Sequence, residues 1–70
     1  MSTTRWLFTA HADAQGDVVA AMRYLEAARH DDPEAGCALL VMRSRARRHP
    51  TAKRFEMQRA FVAFIDEVAA

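Results

Sequence analysis

Apolar side chains recur at helical spacing along most of this chain, interrupted at a few positions by residues that stop helices. From Asp17 onward Val18, Met22, Leu25 and Arg29 follow one another at intervals that bring them to one side of a helix, with Asp17 just beyond Gly16 as its N-cap. Asp31, Asp32 and Pro33 then punctuate. Asp32 is a natural N-cap, and Pro33 suits the first helical position, where no backbone N–H is needed. A second helix is expected from Pro33 to about Arg48, with Leu39, Leu40, Met42 and Ala46 on its apolar side and Ala35 and Cys37 in its first turns. His49-Pro50-Thr51 breaks the pattern, because the residue before a proline avoids the helical region. Thr51 can cap a further helix running nearly to the C-terminus. There Met57, Phe61, Phe64 and Val68 form one stripe, which Phe55, Val62 and Ile65 widen until the helix is expected to face two neighbours.

The first sixteen residues carry two patterns at once. Trp6, Phe8, Ala10 and Ala12 alternate as on a strand, and Thr, Trp and Phe favour strands. Leu7, His11, Ala14 and Val18 continue the helical spacing instead, in an alanine-rich segment. The expectation is therefore a single all-α domain over residues 1–70, built as three helices or a long-helix hairpin. A short N-terminal strand followed by three helices is the alternative.

Composition adds a question of support. At 51% hydrophobic the chain has more than enough apolar content to fold. A core of this size nevertheless supplies only about 3–5 kcal/mol, so small domains lean on disulfides, metals or partner subunits. Cys37 is the one cysteine, which excludes an internal disulfide, and no Cys/His grouping has zinc-ligand spacing. A homodimer is the expected support, with Trp6, Phe8, Met22, Leu25, Met57, Phe61 and Phe64 supplying its core or interface. No apolar run is long enough to span a membrane, and Trp6 to Ala10 is too short for the core of a secretory signal. The expected location is the cytoplasm. Nine Arg against one Lys, with fifteen Ala, suggest a GC-rich bacterial or phage genome.

The net charge of +1 conceals an uneven distribution. Arg43, Arg45, Arg47, Arg48, Lys53 and Arg54 crowd the junction between the last two expected helices. Cations complement the dipole at a helix C-terminus, which accounts for Arg47 and Arg48 cheaply. At a helix N-terminus they are mildly unfavourable, which leaves Lys53 and Arg54 unexplained as mere solvated charge. These six residues are the candidate partner-binding surface. Acidic protein suits them through bidentate contacts to carboxylates. Nucleic acid suits them through its phosphates, in a helix-turn-helix comparison that would aim Lys53, Arg54, Gln58 and Arg59 at a groove.

Catalytic chemistry has little to draw on. His11, His30, His49, Cys37 and the carboxylates form no recognised nucleophile, metal or phosphate motif. His30-Asp31-Asp32 with Glu34 could gather a cation, but a helix end followed by a cap explains the same residues. Cys37, in an Ala/Leu run, is expected to be a small buried hydrophobe. The sequence thus predicts no cofactor, no metal and no catalysis. It predicts a small regulatory protein that binds and inhibits or modulates a larger protein, with a nucleic-acid-binding or transcriptional accessory role as the alternative.

Overall fold

The computed structural model describes residues 1–48, 50–51 and 53–69; His49, with the chain break and catalytic candidacy expected of it, lies outside the described residues, as do Ala52 and Ala70. The N-terminal ambiguity resolves to helix, α1, Thr3–Asp13. Ser2 caps it, its hydroxyl accepting the Arg5 N–H at 3.2 Å. Leu7 and Ala10, one turn apart, face inward while Ala12 is exposed, so the helical spacing prevails over the alternation.

That spacing does not carry α1 into the next element. Gln15 and Gly16 both take positive φ, 52° and 82°. The Gly16 N–H donates to the His11 carbonyl at 3.0 Å and the Gln15 N–H to that of Ala12 at 3.3 Å, the paired closure of a Schellman turn. Asp17 then caps α2, Val18–Ala28, its carboxylate accepting the Ala20 N–H at 3.0 Å. The expected three-helix or long-helix arrangement is accordingly corrected to four helices among the described residues, because successive positive-φ residues, Gln15 and then Gly16, end one helix and let Asp17 start another.

Asp32 caps α3, Pro33–Arg47, accepting the Glu34 N–H at 3.0 Å with Pro33 in the first turn as expected. The last helix, α4, Arg54–Ala69, begins later than the predicted cap at Thr51. Pro50 and Thr51 lie in the turn that redirects the chain, and the first turn of α4 closes instead on the Lys53 carbonyl, which accepts the Met57 N–H at 3.0 Å.

Packing divides the molecule into a tight body and a heavier cover. Ala10, Ala21, Ala35 and Ala38 are fully buried on α1, α2 and α3, and such short side chains let three backbones approach closely around Leu25 and Leu39. The described contacts of α4 are mainly with α1 and α2, where Phe61, Phe64 and Ile65 close the core. Trp6, Phe8, Met22 and Met57 are half-buried around that core, Trp6 and Tyr24 with ring centroids 6.2 Å apart. Of the residues expected in the core or a dimer interface, Leu25, Phe61 and Phe64 are thus spent inside one chain. The radius of gyration, 11.1 Å, equals the ~11 Å of a globular chain of this length, so one copy encloses a core by itself.

Helix phase overturns four apolar placements. On α3 the buried set is Ala35, Ala38, Leu39 and Met42, and Cys37 and Leu40 fall off that stripe. Cys37 is therefore exposed rather than buried, and Leu40 is 62% exposed. On α4, Met57, Phe61, Phe64, Ile65 and Val68 turn inward, whereas Phe55 and Val62 stand outward at 66% and 37% exposure. Thermal unfolding followed by circular dichroism should separate these groups. Phe61→Ala or Phe64→Ala is expected to cost about 3–5 kcal/mol, and Phe55→Ala to stay within ~0.5 kcal/mol. Gly16→Ala is expected to cost about 1–2 kcal/mol, because the left-handed step, rather than crowding, penalises the added methyl.

Candidate functional site

Six cations crowd one corner in sequence, and the fold sorts them into two groups. Arg43 reaches from α3 to Glu26 of α2 at 2.8 Å. Arg54 reaches from α4 to Asp17 at 3.0 Å. Arg45 lies over the Phe64 ring, 4.0 Å from its centroid, and 3.9 Å from Glu67, joining α3 to α4. Arg47, Arg48 and Lys53 are exposed and take part in none of the ion pairs among the described residues. The open basic surface is therefore these three, bordered by the guanidinium of Arg45.

Beside them is an apolar cleft of about 110 Å³. Val18, Met42, Met57, Phe61 and Phe64 form its walls, and Arg45 and Arg48 stand on its rim. It exists because α4 rests mainly on α1 and α2, leaving α3 and α4 incompletely closed above the turn that joins them. Two methionines line it, and their unbranched side chains adjust to irregular gaps. A cavity of ~150 Å³ holds a benzene ring; this one has room for one aliphatic side chain.

The first turns of α4 show where the unexplained Arg54 goes. Arg54 and Gln58, one turn apart, clasp the α1–α2 junction: Gln58 Oε1 accepts the Val18 N–H at 2.6 Å while Arg54 holds Asp17. The Asp17 carboxyl is held below its ordinary range chiefly by the Ala20 N–H, with Arg54 adding to the effect. Two of the four groove-facing candidates are thereby engaged within the fold, leaving Lys53 and Arg59 exposed. Sequence reasoning identified the Asp17 cap but not this clasp, whose one signal was a cation at a helix start with no local reason to be there.

Asp32 gathers the start of the chain. Its carboxylate accepts from the Met1 amino group at 2.8 Å and from the Trp6 indole N–H at 2.9 Å, besides capping α3. Thr3 donates to Glu34 alongside. Among the described residues no three His, Cys, Asp or Glu side chains converge in a way that could hold a metal ion. His11 stands edge-on to Phe61, ring centroids 5.5 Å apart, and His30 is exposed in the turn after α2. No helix among the described residues is long and apolar enough to cross a membrane.

Comparison of the chain with protein-family models, with curated proteins and with solved structures finds no match.

The Met1 amino group above all, then the Trp6 N–H and the Glu34 N–H, lower the Asp32 pKa from 3.8 to about 2. A depressed carboxyl stabilises the fold above its unfolded value, and that contribution is lost as pH falls from near 4 through about 2. Denaturant midpoints measured across this window should fall with pH. Asp32→Asn, which retains a cap without a titrating charge, should flatten the decline. An undiminished decline in that variant would place its origin in other carboxylates.

Proposed function

We propose that this protein is a non-catalytic regulatory module that works as a homodimer and modulates a larger protein by docking an acidic segment at the α3–α4 corner. The observation that carries the reading is an apolar cleft bordered by cations, Arg48 among them outside the ion pairs of the described residues. Met42, Met57, Phe61 and Phe64 offer an anchor for one aliphatic side chain, and Arg48, with Arg45 beside it, stands where a carboxylate flanking that side chain would lie. Guanidinium groups suit carboxylates through two parallel N–H donors, and Arg47 and Lys53 extend the positive field.

A phosphate backbone would use the cations alone and leave the cleft empty. Arg54 and Gln58 are turned into the α1–α2 clasp, which removes half of the side chains a groove-reading helix would need. The protein-binding reading is favoured over the nucleic-acid one for these two reasons.

Affinity capture from the native host, repeated with an Arg47→Glu, Arg48→Glu, Lys53→Glu variant, tests the proposal. All three sites are exposed, so folding should be nearly unchanged. Capture by the wild type should be lost in the variant, and amide shifts on adding the captured protein should centre on Met42, Met57 and Phe61. Recovery of nucleic acid alone, with affinity falling steeply as salt rises, would replace this reading with the nucleic-acid one. A variant that keeps full binding would leave the basic surface as solvated charge.

A further inference from the structure

Helix α4 buries one apolar face and carries a second, mixed stripe of exposed apolar and charged groups on its outer side. At about 100° per residue, the inward set Met57, Phe61, Phe64, Ile65 and Val68 lies on the side opposite to Phe55, Arg59, Val62 and Asp66. This outer stripe is exposed along the whole helix, with Ala63 and Ala69 on its flanks. Phe55 is 66% exposed, and the Arg59 guanidinium lies 5.6 Å from the centre of its ring, which holds the cation along the stripe.

We infer that this outer face of α4 is a self-association surface on which a second copy docks antiparallel, about a two-fold axis between Val62 and Ala63. The inference rests on the homodimer reading and specifies its interface. Arg59 precedes that axis by as much as Asp66 follows it, so each Arg59 meets the second copy's Asp66 and both pairs form at once. Val62 meets Ala63 at the centre, and Phe55 reaches the end of the second copy's helix near Ala69. A parallel pair would set Arg59 against Arg59 and Asp66 against Asp66. Charge order along one helix therefore selects both the occupant and its direction, as opposed charges fix register elsewhere. An isologous contact of this kind closes at two copies.

The interface is small. Sixteen residues make a helix about 24 Å long, and the stripe offers two large apolar side chains per copy, Phe55 and Val62. So small an apolar contact makes the association weak and reversible. Since each copy already encloses its own core, both the free and the paired chain are folded.

Sedimentation equilibrium on the full chain, from micromolar to millimolar concentration, tests the inference. Wild-type mass should rise from 7.9 kDa toward twice that value. Arg59→Asp and Asp66→Arg, both at exposed sites, should each shift association about tenfold or more toward higher concentration, because like charges then meet twice in every pair. An equimolar mixture of the two variants should associate again, since each copy of one now meets the opposite charge on the other. Association of either variant at wild-type strength keeps the homodimer and overturns this face as its interface. Variants weakened alone but not restored by mixing overturn the antiparallel arrangement. A wild type that stays at 7.9 kDa at millimolar concentration overturns the homodimer reading itself, while the acidic-segment reading, tested by capture, stands or falls separately.

Discussion

The structure depends on the close approach of α1, α2 and α3 through Ala10, Ala21, Ala35 and Ala38. Four side chains with one carbon each cannot fill much space, so the helices that carry them must come together until their backbones nearly fill it. Once they do, only slender gaps are left for Leu25 and Leu39, and Trp6, Phe8 and Tyr24 stay half-buried at the perimeter. Phe61 and Phe64 are accommodated by α4, which lies across α1 and α2 as a cover. The cleft beside α3 and the unused outer face of the cover are both consequences of that division. The chain has more large apolar residues than a body packed on alanine can take in.

Polar contacts in this molecule concentrate at helix starts, and most of them are tertiary. Asp32 caps α3 and at the same time holds Trp6 and the Met1 amine. Asp17 caps α2 and holds Arg54, while Gln58 takes the neighbouring Val18 N–H. A helix N-terminus leaves N–H groups without partners inside the helix; at α2 the distant Gln58 accepts one of them, and at α3 the capping carboxylate itself draws donors from the start of the chain. The Asp17 and Asp32 caps therefore each fix where another helix lies. Several individual ion pairs are solvent-exposed and contribute little in isolation; their effect is on orientation.

Much of this was legible from residue order. Asp17, Asp32 and Pro33 announced two helix starts because capping depends on the residue and its immediate neighbours. The inward stripe of α4 was legible for the same reason, being a matter of spacing alone. The break at Gln15-Gly16 was harder, since the helical spacing of Leu7, His11, Ala14 and Val18 continues across it and only the glycine betrays it. Helix phase was the main blind spot. Leu40 adjoins Leu39, and Phe55 and Val62 lie within the apolar run of α4, yet one residue of offset turns a side chain by a quarter of the circumference or more. The candidate site was half legible. The cations were evident, but their sorting into Arg43 and Arg54, held by Glu26 and Asp17, and Arg47, Arg48 and Lys53, left open, follows from contacts between helices far apart in sequence.

The clasp of Gln58 on Val18 has a kinetic side. Helical proteins usually fold fast because their contacts are local. Here the start of α2 is completed by a residue forty positions later, and the Asp17–Arg54 contact spans nearly as far. During synthesis the alanine-packed body can assemble while α2 still has water at its first turn, and that turn becomes fully engaged only when the final helix arrives. A segment made later thus finishes one made earlier, and the entropy of closing a long loop falls in the step that completes the contact.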